Sequence, residues 1–183
     1  MKKLLLALGI SLAAVGAQAS DFASLTVESV KDDVTDVKGT VQTVRVGKDL
    51  AGLTFGLQAR TQATENAGGL GNSLELSVGK GFALGKVAVA PYVGVGHDNG
   101  QGGGTGWQYG VVGATAALPV GNLTPYVGAK TRINWDHGNP NQALVFGGVD
   151  FAVTKQLAVG VTASKSYLDI KETSYGVNLR VAF

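Results

Sequence analysis

Hydrophobic and polar residues alternate along most of this chain of 183 residues. The alternation is clearest over residues 175–183, where Tyr, Val, Leu, Val and Phe are interleaved with Gly, Asn, Arg and Ala. Because successive side chains of a β-strand point to opposite faces, this segment is predicted to be a strand with one apolar and one polar face. Helical periodicity is weak by comparison, so the chain is predicted to be all-β.

The same period of two recurs in ten segments of strand length. These segments are 23–31, 40–48, 52–62, 73–81, 86–97, 106–118, 123–135, 142–153, 157–167 and 173–183. Connections of three or four residues alternate with connections of five to ten residues, which predicts an antiparallel up-and-down β-barrel that crosses a membrane. Segment 40–48 is weakly patterned, so eight strands remain an alternative to the favoured ten.

Proline and glycine mark where the strands are expected to bend or end. Pro91 and Pro125 each remove a backbone hydrogen-bond donor, so a bulge or a strand end is predicted at both. The chain contains 28 glycines, which disfavour helices and are common where strand backbones approach closely. No stretch after residue 19 reaches 18 consecutive apolar residues, which argues against a helical inner-membrane protein.

The amino terminus has the three parts of a secretory signal peptide. Lys2 and Lys3 precede an apolar or small stretch over residues 4–15, and Ala17-Gln-Ala19 follows as a small-x-small site. Cleavage is therefore predicted between Ala19 and Ser20, which leaves residues 20–183 as one domain. Loss of two lysines from the 15 basic residues leaves 13 to balance 13 acidic residues, so no nucleic-acid partner is predicted.

Alternation alone also fits a soluble lipocalin-like barrel or a sandwich, since it does not show which face points inward. Small residues on the polar face would suit a narrow lumen. Tyr and Trp favour membrane interfaces, and aromatic residues lie near the segment ends, at Phe22, Trp107, Tyr109, Trp135, Tyr167, Tyr175 and Phe183. A closed sheet also pairs every backbone group within lipid. These features favour an outer-membrane barrel.

The ending Gly176-x-x-Leu179-x-Val181-x-Phe183 and the signal peptide together resemble those of the small bacterial outer-membrane β-barrel proteins, the OmpX and OmpA transmembrane-domain type. The resemblance implies that Tyr175, Gly176, Leu179, Val181 and Phe183 form the carboxy-terminal signal read by the outer-membrane assembly machinery. It also implies outer-membrane lipids and lipopolysaccharide as partners. A host or surface ligand is left open, and no cofactor is expected.

If the small and polar faces point inward, ten polar or charged side chains enter the lumen. They are Glu28, Arg45, Gln58, Arg60, Glu75, Lys130, Arg132, Asn134, Asp150 and Arg180. Barrels of about 8 strands are filled by their own side chains, whereas open porins use 16–18 strands, so a packed polar network is favoured over a conduit. Arg180 is expected to find an acid across the lumen, with Glu28 on the adjoining first strand as the nearest candidate.

The two histidines define one further candidate site. His97-Asp98 ends one predicted strand and Asp136-His137 follows another, so both pairs belong to the end with the longer loops. A histidine polarised by a carboxylate can act as a general base, but no serine lies in a nucleophile motif nearby, so solvated loop residues are favoured. No catalytic or metal site is therefore predicted. Cysteine is absent, which excludes disulfides and thiolate metal sites.

The function expected from the sequence is a structural or surface-interaction role in the outer membrane. It comprises membrane integrity, adhesion, or recognition through the loops near 63–72 and 98–105. A narrow channel for small solutes is the alternative. A hydrolase at the rim, built on the two histidine pairs, is the least favoured possibility.

Overall fold

The computed structural model describes residues 21–65, 70–100, 106–135 and 140–183. Eleven strands occupy these ranges, in the order β1 (Phe22–Asp32), β2 (Lys38–Leu50), β3 (Leu53–Thr64), β4 (Gly71–Gly79), β5 (Phe82–Leu84), β6 (Val87–Asp98), β7 (Trp107–Ala117), β8 (Leu123–Asn134), β9 (Gln142–Ala152), β10 (Leu157–Leu168) and β11 (Glu172–Ala182). None of the described ranges contains a helix long and apolar enough to cross a membrane. The predicted signal peptide lies outside the described residues.

The strands form one closed antiparallel barrel of ten long strands, with the short β5 as an addition. β1 pairs with β11 from Phe22↔Ala182 to Asp32↔Glu172, which joins the two ends of the sheet. β4 pairs directly with β6, so β5 does not interrupt the ring. The weakly patterned segment 40–48 lies within β2, which pairs with both β1 and β3. The prediction of ten strands is therefore confirmed, and the alternative of eight is wrong.

One strand ends two residues earlier than predicted, where a proline faces it. Segment 73–81 was expected to be a strand, but β4 ends at Gly79, and the short β5 lies in the connection predicted between segments 73–81 and 86–97. The gap lies opposite Pro91, whose carbonyl oxygen accepts a hydrogen bond from the Lys80 amide at 3.1 Å. Because proline has no N–H to return the second bond of that pair, the ladder is interrupted there. β7 ends in the same way, since the Leu118 amide donates to the Pro125 carbonyl oxygen.

The two ends of the barrel differ in their connections. At one end, here called the short-turn end, a two-residue turn at Ala51 and Gly52 joins β2 to β3, and both residues have positive φ, at 55° and 77°. Such left-handed pairs match the twist of a hairpin. Both chain ends of the barrel lie here, where the Phe183 amide donates to the Asp21 carbonyl oxygen at 3.1 Å. The opposite end, called the loop end, is where β1, β3, β6, β8 and β10 end.

Large apolar side chains cover the outer surface of the barrel. Examples from five strands are Leu57, Leu76, Val95, Val161 and Val177, all of which are exposed. The buried side chains are instead mostly polar or charged, and the buried apolar ones are Val30, Val41, Ala88, Tyr109, Val111 and Ala117. A soluble barrel has the reverse arrangement, whereas a barrel in lipid has apolar residues outside and polar residues inside.

Aromatic rings inside the barrel lie across glycines on the neighbouring strand. Five such pairs are directly opposed in the register, namely Phe22–Gly47, Tyr92–Gly113, Gly96–Tyr109, Tyr126–Gly148 and Gly128–Phe146. A Cβ added to any of these glycines would lie 2.2 to 2.6 Å from the nearest atom of its aromatic partner. The glycines are therefore required for space, and the rings fill the interior between the charged side chains.

The aromatic positions expected at a membrane interface divide into two groups. Trp135, Tyr167, Tyr175 and Phe183 are exposed on the outside. Phe22 and Tyr109 point inward instead, and Tyr109 is only 1% exposed. The prediction that Phe22 and Tyr109 lie at a membrane interface is wrong, because each lies on the inward face of its strand, opposite a glycine that also faces inward. Trp107 is half-buried.

Candidate functional site

The barrel interior brings charged side chains from most of the strands together around one cavity. The cavity has a volume of about 530 Å³. It reaches the short-turn end, because Gly52 and Gly81 belong to its wall. Its charged lining residues are Glu28, Arg45, Asp49, Arg60, Glu75, Lys80, Lys130, Arg132, Glu172 and Arg180. Six basic and four acidic side chains among these described residues leave a surplus of two positive charges.

A buried three-residue cluster spans part of the lumen at Glu75. Its carboxylate accepts hydrogen bonds from Lys130 Nζ, at 3.1 and 3.3 Å, and from Arg132 Nη2, at 3.2 Å. Glu75 is 3% exposed, Lys130 7% and Arg132 8%. Glu75 belongs to β4 and the two cations to β8, and β6 and β7 lie between them in the ring. The cluster therefore ties together parts of the wall that do not pair.

A second set of contacts crosses the lumen nearer the loop end. Glu172 on β11 accepts a hydrogen bond from Gln62 on β3 at 3.0 Å and lies 4.0 Å from Arg60. Asp98 lies 3.9 Å from Arg132. Neither Glu172 nor Asp98 was among the predicted lumen residues. Both occupy terminal positions of strands, so extending each alternation by one residue could have found them.

Tyr109 closes the interior beside this second set. The guanidinium carbon of Arg132 lies 4.7 Å from the centre of the Tyr109 ring, within the range of a cation–π contact. The ring also covers Gly96 on β6. Arg132 is thus held on one side by carboxylates and on another by an aromatic face.

A continuous row of inward residues crosses five neighbouring strands and ends at Glu75. The register pairs Arg180 with Ser24, Ser24 with Arg45, Arg45 with Gln58, and Gln58 with Glu75. Arg45 donates to the Gln58 side-chain oxygen at 2.5 Å. Two arginines therefore stand on either side of a single serine, and all three line the cavity.

The remaining predicted lumen residues have neutral hydrogen-bond partners. Glu28 accepts a hydrogen bond from the Ser174 hydroxyl at 2.8 Å, and Asp150, 3% exposed, accepts one from Asn178 at 2.9 Å. The register does not place Glu28, the nearest candidate expected for Arg180, opposite it. Glu28 lies opposite Gly176, four residues along the strand from the serine that faces Arg180, and the carboxylate that attracts Arg180 is Asp150.

Asn134 ends the predicted set at the loop end. Its side-chain amide donates to the Pro140 carbonyl oxygen, and its backbone amide donates to the Asn141 side chain at 3.0 Å. It therefore anchors the connection after β8 and joins no ion pair. Within the described residues, no group of three or more His, Asp or Glu side chains could hold a metal ion.

No protein-family model and no curated protein matches the sequence. Solved structures do match. The β domain of the Bordetella autotransporter BrkA superposes with a TM-score of 0.58 at 13% identity, over 90% of this chain and 99% of that domain. KdgM porin has a TM-score of 0.51 at 11% identity, over 87% of this chain and 99% of that protein. The transport unit of the Escherichia coli autotransporter AIDA-I has a TM-score of 0.51 at 11% identity, over 100% of this chain and 97% of that unit.

All three of these structures are closed barrels of the bacterial outer membrane. The chain has the fold of an outer-membrane β-barrel. At identities this low the likeness concerns the fold and carries no activity with it. The apolar exterior and charged interior of this barrel agree with that fold.

The loop end of the barrel does not assemble the histidine site that was considered from the sequence. His97 is exposed on the outer face and contacts the Asn99 side chain at 2.8 Å, whereas Asp98 points inward to Arg132. Adjacent residues of a strand face opposite sides, so the pair cannot act as a dyad. Asp136 and His137 lie outside the described residues.

An ion pair joins separate strands at each end of the barrel. At the loop end Asp33 lies 3.0 Å from Lys165 and accepts a hydrogen bond from Thr173. The hydrogen bond from Lys165 lowers the pKa of Asp33 below its ordinary value. At the short-turn end Asp21 accepts a hydrogen bond from Lys48 at 2.8 Å, and that bond lowers the pKa of Asp21.

Proposed function

We propose that this chain is a bacterial outer-membrane protein with a structural or surface-interaction role. Residues 1–19 direct its export and are removed, and the barrel then inserts from the periplasm with its loop end outward. Membrane integrity, adhesion, or recognition through the loops near 63–72 and 98–105 is the function. The single observation that supports it best is the lumen network centred on Glu75, which braces the wall of a narrow barrel.

The energetic argument concerns what the buried charges do. Ionised side chains inside a protein are costly unless they are paired and hydrogen-bonded. The contacts of Glu75 and Glu172 each join strands that are three positions apart in the ring. Charges used in this way occupy the lumen and resist its deformation, which suits a rigid membrane scaffold that presents loops.

The partners proposed for this role are outer-membrane lipids, lipopolysaccharide and the assembly machinery. The exposed apolar belt supplies the lipid contact. Tyr175, Gly176, Leu179, Val181 and Phe183 would be read during insertion, and they run along β11 to the short-turn end. The balanced charge of residues 20–183 offers nothing for nucleic acid.

We also propose that the barrel is not an enzyme. The support is local: His97 and Asp98 face opposite sides of β6. An assay of lipid and peptide hydrolysis on the purified barrel tests this, and activity that disappears when both histidines are replaced would contradict it.

Membrane fractionation and gel mobility test the main proposal together. A closed barrel is expected to migrate differently before and after boiling in detergent, and the protein is expected in the outer-membrane fraction. Identical mobility together with recovery as soluble periplasmic protein would reject the membrane barrel and favour a soluble one.

A narrow channel is the second candidate, and the cavity of about 530 Å³ favours it. Planar-bilayer recording separates the two functions. Under the structural proposal no stepwise conductance is expected. Stepwise openings that are lost when Arg60 or Arg132 is replaced by tryptophan would establish the channel instead, because both arginines line the cavity.

A further inference from the structure

Charge is distributed unequally between the two ends of the barrel. The turns and the cavity mouth at the short-turn end carry four lysines against two aspartates, namely Lys48, Lys80, Lys86 and Lys155 against Asp21 and Asp49. The loop end, leaving aside the inward-facing Asp98 and Glu172, carries four lysines against five described acidic residues, namely Lys31, Lys38, Lys165 and Lys171 against Asp32, Asp33, Asp36, Glu65 and Asp169. The surplus of positive charge therefore belongs to the short-turn end.

Three lysines of the short-turn end are left over by the fold. Lys48 is held by Asp21 at 2.8 Å. Lys80, Lys86 and Lys155, here called the basic rim, are all exposed, and none of them forms an ion pair with a carboxylate of the described residues. Their ammonium groups are therefore available to an anion from outside the chain.

The loop end treats its lysines differently. Lys31 lies 2.5 Å from Asp36, and Lys165 lies 3.0 Å from Asp33. Carboxylates of the chain thus already satisfy two of the four lysines there. The contrast makes the basic rim the stronger candidate for an anionic partner.

The basic rim lies at the edge of the apolar belt. Each of its lysines is two residues from an exposed apolar side chain, namely Phe82 for Lys80, Leu84 for Lys86 and Val153 for Lys155. The ammonium of Lys80 also lies 5.7 Å from the centre of the Phe82 ring. Lysines at such a boundary keep their carbon chains against apolar surroundings and extend their ammonium groups into the headgroup layer.

The spacing of the lysines around the ring selects the kind of partner. Lys80 and Lys86 flank β5, whereas Lys155 lies in the turn between β9 and β10. β7 and β8 separate β6 from β9 in the ring, so one small anion cannot contact all three lysines. The phosphate groups of a lipid leaflet surround a barrel on every side and reach them all at one level.

We propose that the basic rim binds the headgroups of anionic phospholipids in the leaflet at the short-turn end. This inference rests on the proposed function, because it requires the barrel to be inserted in lipid with its short-turn end towards the periplasm. Each lysine near an anionic membrane surface contributes about fivefold to binding. The rim thereby adds a lipid preference to the apolar belt, which contacts any acyl chain.

Lipid retention by the full-length processed barrel tests the preference. The barrel is reconstituted in nanodiscs that contain phosphatidylglycerol and phosphatidylcholine in equal amounts, and native mass spectrometry counts the phospholipids that stay bound. Phosphatidylglycerol is expected to be retained about tenfold or more over phosphatidylcholine at low ionic strength. The preference should largely disappear in about 1 M salt, where the screening length is about 3 Å. Equal retention of the two lipids at low ionic strength would overturn the proposal.

Variants locate the preference. The triple substitution Lys80→Gln, Lys86→Gln and Lys155→Gln should reduce the preference to within about twofold of equal retention. Lys31→Gln, Lys38→Gln and Lys171→Gln together form the matched control, since they remove the same charge from exposed positions at the loop end, and they should leave the preference unchanged. Equal losses in the two triple variants would show a general charge effect and overturn the rim.

The failure of the rim can be distinguished from the failure of the proposed function. Heat-modifiable gel mobility of each variant shows whether the barrel has inserted. A parent protein that does not insert would reject the membrane barrel itself. An inserted barrel without a phosphatidylglycerol preference would reject the basic rim alone.

Amine modification of the unsubstituted barrel tests the same contact without any variant. An amine-reactive reagent is applied to nanodiscs with and without phosphatidylglycerol, and the modified lysines are mapped by mass spectrometry. Phosphatidylglycerol is expected to slow the modification of Lys80, Lys86 and Lys155 but not that of Lys38 or Lys171. Equal slowing at both ends, or none at the rim, would overturn the assignment.

Discussion

Replacement of Glu75 by glutamine should expose the cost of an uncompensated charge inside the barrel. The carboxylate of Glu75 is the shared partner of Lys130 and Arg132, with three contacts between 3.1 and 3.3 Å. Glutamine keeps the size of the side chain and one acceptor oxygen, so packing is preserved. Two buried cations then lose their counter-charge. Breaking a buried ion pair by removing one partner costs about 3–5 kcal/mol, so the free energy of unfolding should fall by that amount.

Equilibrium unfolding in urea, with the barrel inserted in phospholipid vesicles, measures this change. Trp107 and Trp135 are the chain's 2 tryptophans, and the exposed Trp135 reports contact with lipid through its fluorescence. Glu28→Gln is the matched control. The hydrogen-bond partner of Glu28 is the Ser174 hydroxyl, which a glutamine oxygen also accepts, so its cost should stay below about 1 kcal/mol.

A double substitution separates charge balance from general disruption. Lys130→Met removes one of the two cations, so adding it to Glu75→Gln should cost at least about 1 kcal/mol less than the two single changes summed. Additive losses would refute the view that these residues act as one cluster. A Glu75→Gln barrel within about 0.5 kcal/mol of the parent would refute the argument outright, since surface substitutions change stability by no more than that.

Three further outcomes follow from the geometry. Gly128→Ala should destabilise the barrel by about 1–3 kcal/mol, because the new Cβ would lie 2.3 Å from the Phe146 ring. Gly81→Ala is the control and should be tolerated, because Gly81 has open space around it. Equal urea midpoints for the two variants would contradict the glycine–aromatic pairing. The pKa of Asp33 is lowered in the folded barrel, so its ion pair should stabilise the fold fully above about pH 4 and lose this contribution as the pH falls further. The unfolding curves of the parent and of Asp33→Asn should therefore converge in acid. A difference in stability that stays constant between pH 3 and pH 7, values on either side of the ordinary aspartate pKa of about 4, would contradict this. Deletion of Phe183 should slow insertion in cells more than it lowers the stability of the refolded barrel, as gel mobility during a pulse-chase can measure, and unchanged insertion would remove it from the assembly signal.

Strand positions could be predicted from the sequence because alternation is a local property. In Tyr175-Gly-Val-Asn-Leu, each side chain's face depends only on its parity along the backbone. Pro91 and Pro125 themselves lie within β6 and β8, so the strand ends predicted at them are found instead on the facing strands, where β4 and β7 end. The side chains that share a strand face with Glu75 or with Arg132 could be predicted from the alternation in the same way.

The tertiary structure alone decided which face is inside and which charges meet. The alternation divides the residues of a strand into two faces but does not say which face points inward. The inward face of β11 is set only when the twisted sheet closes through the β1–β11 register. Glu75 meets Lys130 from 55 residues away, and that contact depends on strand order and tilt around the whole ring. Arg180 faces Ser24 rather than Glu28 for the same reason, because a register between distant strands cannot be seen in either strand alone.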